Sequence, residues 1–474
     1  MIPVLTPDEM AGVDRCAPEP VDVLVERAGF AAAGAARRLL GGAYGRRVIV
    51  VAGRGNNGAD GRAAAAHLRS RGAMVEVVEA ASLGADARLP AADLVIDAAY
   101  GTGLGLAYSP PDPGGTPVLA VDIPSGLSGL TGLPLEGGGA VTAARTVTFA
   151  AYKPGLLLGA GPEHAGAVEV AGIGLEGLAA RATRSWLVTD GDVAKMLPPR
   201  PRQGHKWQAA VHVVGGSPGM YGAPLLVASG AMRAGAGYVL VGVPGSPEGG
   251  GLPPGAHVGH ALPARGWDVA AVAATRRRPI GAVVVGPGLG SSSLGHGGET
   301  GSHAPVALLL IGTPDVAAVV DAGAITALGD LDTVRAVADR RTAPMVLTPH
   351  AGEYSRLVGR PPGDDRVSDV RAVAARSGAA ILLKGSPTVV AAPDGRVLVV
   401  TSGSPRLATA GSGDVLSGVI GAFVARGLPP FEAAALAAHA HGRAAGEGPA
   451  EGLVATDLPG LVSRWLSGQA EVER

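Results

Sequence analysis

VIVVAGRGNNGADGRAAAAHLRSRG, residues 48–72, is the stretch that decides the fold. An apolar, mostly β-branched run enters a glycine-rich turn, and the turn enters an alanine-rich segment with helical character. Strand, tight turn and helix in that order open a βαβ unit. Gly53, Gly55 and Gly58 satisfy the G-x-G-x-x-G pattern. Glu76 and Glu79 follow about 20 residues on, where a dinucleotide-binding turn places its ribose-binding acid. A strand-to-helix turn with no ligand produces the same pattern, so the glycines alone do not separate the two readings.

Short apolar runs recur outward from this stretch, at 47–51, 74–78, 94–98, 118–123 and 146–150. Strands of this kind alternating with helical or glycine-rich connections predict a parallel sheet covered on both faces. The pattern decays after residue 173, through SWLVTDGDVAKMLPPRPRQGHKW (185–207), whose prolines at 198, 199 and 201 cannot continue a helix. A second series follows at 210–214, 238–243, 281–285, 317–321, 344–347 and 380–383. A hairpin is predicted next, 388–392 and 396–400 flanking Asp394-Gly395. The expected domains are therefore 1–197 and 198–474, both three-layer αβα units of the α/β class. SSSLGHGGETGSHAP (291–305) reads as an exposed loop insertion.

Composition narrows the function. Lys+Arg 39 against Asp+Glu 40 leaves a net charge of −1, without the cationic excess that a nucleic-acid groove or an anionic membrane surface needs. A single cysteine, Cys16, excludes an intramolecular disulfide framework and a multi-thiolate metal site. With 76 glycines and 38 prolines the chain approaches low-complexity composition, but 47% hydrophobic residues and near-zero charge predict a folded protein whose glycines are turns. Aromatics are 3%, so the core is expected to consist of Ala, Val and Leu. Only four lysines occur, Lys153, Lys195, Lys206 and Lys384, which suggests specific tasks for them. The most conspicuous uncharged stretch, after Trp207, is broken by glycines, prolines, Gln208 and His212, and the acidic N-terminus lacks the basic flank of a signal peptide. A cytoplasmic location is expected.

In the first half, Asn56, Asn57 and Asp60 add polar groups that the plain glycine pattern does not use. Asp97 closes a later run and is followed by Gly101-Thr102-Gly103-Leu104, while Asp122-Ile123-Pro124-Ser125-Gly126 closes another. The carboxyl ends of parallel strands line one crevice, so these segments should converge. Asn57, Asp97 and Ser125 offer hard oxygen ligands suited to an alkali or alkaline-earth cation, and Asp122 is then a candidate acid/base. Each aspartate alone also fits a helix cap or an Asx-turn. In the second half, Gly411-Ser412-Gly413-Asp414 precedes an amphipathic helix, whose free amides attract a phosphate. Asp414 is placed to take a proton from a hydroxyl attacking that phosphate, although an aspartate there also fits a cap. Lys384-Gly385-Ser386-Pro387-Thr388 puts a lysine at a strand end, where it can neutralise a nucleotide phosphate. His350, in Thr348-Pro349-His350-Ala351-Gly352-Glu353, either contacts substrate or hydrogen-bonds within its loop.

GRGNNGADG, IDAAYGTGL, VDIPSGLSG and TFAAYKPGL together resemble the NAD(P)H-hydrate epimerase family over about residues 5–175. The resemblance implies a Rossmann-like domain that interconverts the R and S epimers of hydrated NADH and NADPH. It implies that Asn56, Asn57, Gly58, Ala59 and Asp60, with Gly101, Thr102, Gly103, Leu104, Gly105, Leu106 and Ala107, hold the substrate. Asn57, Asp97 and Ser125 would bind potassium, and Asp122 would be the catalytic carboxylate. Ala59 stands where a glycine is usual, which matters if that position needs a positive φ.

GGSPGMYGAPLLVASGAMRAGAGYV (215–239), VVVGPGLG (283–290), LTPHAGE (347–353), LLKGSPTVV (382–390) and ATAGSGDVLSG (408–418) resemble the ribokinase-like ADP- or ATP-dependent NAD(P)H-hydrate dehydratases. This implies that Ala223, Gly288, His350 and Asp414 face the hydrated dinucleotide. Lys384, Gly385, Ser386, Pro387, Thr388 and Gly413 would face the adenine nucleotide. Gly323 stands where that family often has an aspartate. The combined expectation is a bifunctional repair enzyme using potassium in the first domain and Mg²⁺ with ADP in the second. Its partners would be the hydrates and ADP or ATP, with no nucleic acid and no membrane, and the resemblance implies a homo-oligomer. The alternatives are a vitamin or sugar kinase fused to a dinucleotide-binding domain, and a first half that is a ligand-binding or scaffolding module without turnover.

Overall fold

A computed structural model describes residues 1–84, 87–246, 257–290 and 304–472. The chain divides into two units, Ile2–Leu187 and Val188–Arg474, the latter with Met1. In the first unit the strands are β1 (Ile2–Val4), β2 (Arg47–Ala52), β3 (Met74–Glu79), β4 (Leu94–Ala98), β5 (Val118–Val121), β6 (Arg145–Phe149), β7 (Ala167–Ala171) and β8 (Ser185–Leu187). β2 to β7 form one sheet in the order β3-β2-β4-β5-β6-β7, every neighbour parallel. β1 and β8 pair antiparallel with each other.

Alternation along β2 explains why its run is apolar throughout. Val48, Val50 and Ala52 pack under the helices Val21–Leu40 and Asn56–Arg69, while Ile49 and Val51 point to the other face. That second face is covered by Ala80, Leu89, Val141 and Ala143 from extended chain and turns. A strand buried on both sides has no polar positions to alternate with. Small residues replace aromatics because the helices approach closely: a Cβ on Gly29 would lie 2.3 Å from the Ala63 Cβ.

The second unit carries β9 (Ala210–Val214), β10 (Tyr238–Pro244), β11 (Val258–Leu262), β12 (Ala282–Val285), β13 (Ala317–Val320), β14 (Met345–Leu347), β15 (Ala380–Leu383), β16 (Thr388–Ala391) and β17 (Val397–Val400). Their order is β17-β16-β15-β14-β13-β12-β9-β10-β11, parallel from β15 to β11 and antiparallel among β15, β16 and β17. The predicted hairpin is present, with Gly395 alone taking a positive φ of 90° at its turn. Helices Gly222–Arg233 and Ser412–Ala425 cross against the sheet through facing glycines. A Cβ on Gly418 would lie 2.0 Å from the Val227 carbonyl oxygen, and one on Gly230 2.5 Å from that of Val415.

The division falls ten residues before the predicted one. Asp190–Met196 is a helix of the second unit, capped by the Thr189/Asp192 box. The Asp190 carboxylate binds His439 Nε2 at 2.7 Å and Arg443 at 2.9 Å on the helix Pro430–Gly446. Pro198, the first of the prolines read as a linker, is itself tied down, its carbonyl accepting from Arg426. β1, β7, β8 and β11 had no expected counterpart. The insertion at 291–305 lies outside the described residues apart from its last two, which open the helix Ala304–Gly312. Among the described residues, no helix is long and apolar enough to cross a membrane.

Candidate functional site

In the first unit the carboxyl ends of β2, β4 and β5 open onto a cavity of about 650 Å³. Its glycine turn is sterically determined. A Cβ on Gly53 would stand 1.8 Å from the Ala99 carbonyl oxygen and one on Gly58 1.9 Å from that of Gly53, whereas Gly55 faces open space. The first and third glycines let the turn pack, and the second leaves room for a ligand. Asn56, Asn57, Asp60, Gly101 to Leu106 and Asp122 line the cavity as expected, and Gly58, Ala59 and Ala107 lie off its wall. Ala59 is in the helix Asn56–Arg69 and is absent from the positive-φ positions, so its methyl does not strain the turn. Glu79 is held by Arg62 at 2.6 and 2.7 Å rather than facing the cavity.

Asp122 adopts φ 67°, a left-handed backbone that a non-glycine residue takes at a cost of about 1–3 kcal/mol. That conformation aims its carboxylate at Lys153, which is 1% exposed. Lys153 Nζ donates to Asp122 Oδ1 at 2.5 Å, to Thr148 Oγ1 at 2.9 Å and to the Phe149 carbonyl at 3.2 Å. Thr148 Oγ1 donates to the same Asp122 oxygen at 3.1 Å. Asp122 Oδ2 stays on the cavity side, 3.8 Å from where a Cβ on Gly101 would sit.

Asp97 and Ser125 are brought together: Ser125 donates from its hydroxyl to Oδ1 at 2.7 Å and from its amide to Oδ2 at 2.8 Å. Burial raises Asp97 to about 6 against these hydrogen bonds. The Asn57 carboxamide is buried, and neither of its polar atoms has a partner among the described residues. A buried amide without partners is costly, about 1–3 kcal/mol, unless a ligand satisfies it. Amide oxygen, carboxylate and hydroxyl are hard oxygen donors, of a kind that suits a hard cation.

Two further carboxyls reach this cavity, Asp60 from the glycine-turn helix and Asp14 from the helix Pro7–Arg15. Burial, then the Asp122 and Asp14 carboxylates, push Asp60 up to about 8, against the pull of Lys153. Asp60 thus keeps its proton in the folded state from about pH 4 to about 8, where the unfolded chain has lost it. The folded state binds more protons in that window, so this contribution to stability is present below about pH 4 and fades as pH rises through about 8. Asp60→Asn should therefore raise the melting temperature at pH 8 by several degrees and flatten its decline between pH 5 and 8, as followed by thermal unfolding. An unchanged slope would contradict the assignment.

In the second unit Gly411, at φ 90°, precedes the helix Ser412–Ala425, whose first turn carries Asp414. Asp414 is raised to about 6 by burial and then by Asp321, with Lys384 opposing. Lys384 Nζ donates to Asp321 Oδ1 at 2.7 Å, and the Ser417 hydroxyl donates to Asp321 Oδ2 at 2.6 Å. A Cβ on Gly413 would be 3.4 Å from the Lys384 Nζ, so the two predicted nucleotide-facing segments meet. Ala223 and Gly288 also meet, because a Cβ on Gly288, at φ 72°, would lie 3.1 Å from that of Ala223. His350 caps the helix Ala351–Val358, its Nδ1 accepting from the amides of Gly352 at 3.0 Å and Glu353 at 3.3 Å, while the ring remains exposed. A Cβ on Gly323 would lie 2.5 Å from the Leu289 carbonyl oxygen, so the position has no room for the aspartate the resemblance suggested.

Three site residues escaped the sequence reading. Lys153 stands out in the sequence by the rarity of lysine alone, which assigns it no role. Asp321 carries the same signal as Asp97 and Asp122, an aspartate ending an apolar strand. Asp14 has no local signal, and only the packing of its helix brings it to the cavity.

The NAD(P)H-hydrate dehydratase family model matches residues 211–466, and the YjeF-related protein N-terminus model matches 21–88 and 79–155. The bifunctional NAD(P)H-hydrate repair enzyme Nnr of Salinibacter ruber is 36% identical over 539 residues, covering 98% of this chain and 96% of that protein. The chain belongs to the bifunctional NAD(P)H-hydrate repair enzyme family. The Mycobacterium tuberculosis member is 38% identical over 88% of this chain and 87% of its own. A small-molecule kinase joined to a dinucleotide-binding domain does not describe these relatives. Among solved structures, the Bacillus subtilis ADP/ATP-dependent NAD(P)H-hydrate dehydratase co-crystallized with ATP/Mg²⁺ is 29% identical, with 59% of this chain and 97% of that chain covered and a TM-score of 0.48.

Proposed function

We propose that the first unit equilibrates the R and S epimers of hydrated NADH and NADPH, and that the second dehydrates the S epimer at the expense of a nucleotide, converting ADP to AMP and phosphate. The observation that carries this reading is Asp414 in the first turn of the helix Ser412–Ala425, beside the Lys384–Asp321 pair. Hydroxide is a poor leaving group. A carboxylate with a pKa near 6 is mostly ionised at neutral pH yet still basic enough to accept a proton in flight. Asp414 takes the proton of the substrate hydroxyl as its oxygen bonds to the terminal phosphorus of the nucleotide, and the bond from that phosphorus to AMP breaks. The helix amides carry the charge that develops on the phosphoryl oxygens. The carbon–oxygen bond then breaks with loss of a proton from the adjacent carbon, which releases phosphate and restores the ring double bond.

In the first unit Asp122 is the acid/base, with Lys153 and Thr148 holding one oxygen so that the other faces the cavity. Asn57, Asp97 and Ser125 would hold potassium, which supplies a fixed positive charge near the substrate. Mg²⁺ would accompany the nucleotide. Mixed epimers incubated with enzyme and ADP, then with ATP, test the reading by absorbance at 340 nm. Complete return of NADH is expected with at least one nucleotide. Return of the S share alone would remove the epimerase assignment, and no return with either would remove the dehydratase assignment. Nucleotide consumption without NADH would favour a kinase.

A further inference from the structure

The adenine-nucleotide loop proposed above, 384–388, has its lysine already committed. Lys384 Nζ lies 2.7 Å from Asp321 Oδ1, and its charge also acts on Asp414. One cation thus serves two carboxylates before any ligand arrives. A diphosphate entering that pocket adds two or three negative charges, which a further protein cation beside the accompanying Mg²⁺ would stabilise.

Arg366 is beside the same loop. It opens the helix Arg366–Ser377, and its Nη2 donates to the Lys384 carbonyl at 3.3 Å. The guanidinium lies against the main chain of Gly385: a Cβ there would come within 2.6 Å of Nη2 and 3.2 Å of Cζ. Among the described residues no carboxylate forms an ion pair with it, and its Nε is buried without an acceptor. Of the neighbouring acids, Asp369 is held by Arg360 at 2.6 Å and Asp365 by the Ser368 amide at 3.0 Å. Tyr354, the group that acts electrostatically on it, offers only a buried hydroxyl. A half-buried guanidinium gives up hydration and receives no anion in return, which is unfavourable unless a ligand supplies one. Its planar fork also suits two phosphate oxygens better than a lysine point charge does.

We propose that Arg366 binds a phosphate of the adenine nucleotide, as the unpaired cation of the 384–388 loop. The inference rests on the reading of that loop as the nucleotide site, and the two can fail separately. The full chain and its Arg366→Gln and Arg366→Lys variants are titrated calorimetrically with ADP and with adenosine, after melting curves have established that the variants fold. ADP binding to Arg366→Gln should weaken by on the order of tenfold or more, with adenosine binding unchanged. Arg366→Lys keeps the charge without the fork and should weaken ADP binding by a smaller factor, again sparing adenosine. That variant carries the test if the glutamine form does not fold. Unchanged ADP affinity in both variants overturns the inference while leaving the nucleotide site intact. Equal weakening for ADP and adenosine also overturns it, because Arg366 would then only brace the Lys384 carbonyl. A wild-type chain that binds neither ligand removes the nucleotide reading itself.

Discussion

Asp414→Asn should reduce nucleotide-dependent return of NADH from the S hydrate by about 10²–10⁴-fold, the usual contribution of a positioned general base. Epimer interconversion by the same chain should persist, because Asp122 and its partners belong to the other unit. The wild-type dehydration rate should fall as pH drops through about 6, where Asp414 takes up its proton. The stability effect runs the opposite way. A carboxyl whose folded pKa is raised stabilises fully below its unfolded value near 3.8, and that contribution is lost as pH rises through about 6. At pH 7 the folded protein therefore bears an unfavourable buried charge next to Asp321, which the asparagine removes. The variant should melt higher than wild type at pH 7 while losing activity. A lower melting temperature would point to Asp414 as a structural cap rather than a base.

The second large effect concerns Asp122 and Lys153. Asp122→Asn keeps a residue that tolerates the left-handed backbone at φ 67°, so the backbone is little perturbed. What changes is charge. Lys153, 1% exposed, would retain Thr148 and the Phe149 carbonyl but lose its only ion-paired carboxylate among the described residues. Leaving one member of a buried pair unpaired costs about 3–5 kcal/mol. Asp122→Asn should destabilise the first unit by that order, and adding Lys153→Met should restore most of it. Epimer interconversion should be down by about 10²–10⁴-fold in the single and the double variant alike. Denaturant unfolding and chromatographic separation of the epimers provide the two readouts. Recovery of activity with stability in the double variant would remove Asp122 from the chemistry.

Much of the architecture is legible in local sequence. Runs such as 94–98, 210–214 and 380–383 coincide with β4, β9 and β15 because a strand buried on both faces is apolar at every position. The strands without an expected counterpart lack that signature. β7 and β11 are sheet edges with partly exposed positions, and β1 and β8 have three residues each. Prolines break helices and so mark a boundary in the sequence, but the helix Asp190–Met196 belongs with its ion-pair partners on Pro430–Gly446. Ala59 and Gly323 show the same limit at the sites. Whether a methyl strains the turn, or whether an aspartate fits, depends on the backbone conformation and on a carbonyl from a distant loop.

By itself, the sequence determined the α/β class, the two successive units, the glycine turns, and the strand-end aspartates together with Asp414. These are local features, read from periodicity and turn chemistry over a few residues. Only the tertiary structure decided which charges meet: Lys153 with Asp122, 31 residues apart, and Lys384 with Asp321, 63 apart. Strand order and register set those pairings, and they arise from packing across the whole sheet. The proton affinities follow from the same packing, since Asp60 and Asp414 are raised by burial and by carboxylates brought alongside them through the fold.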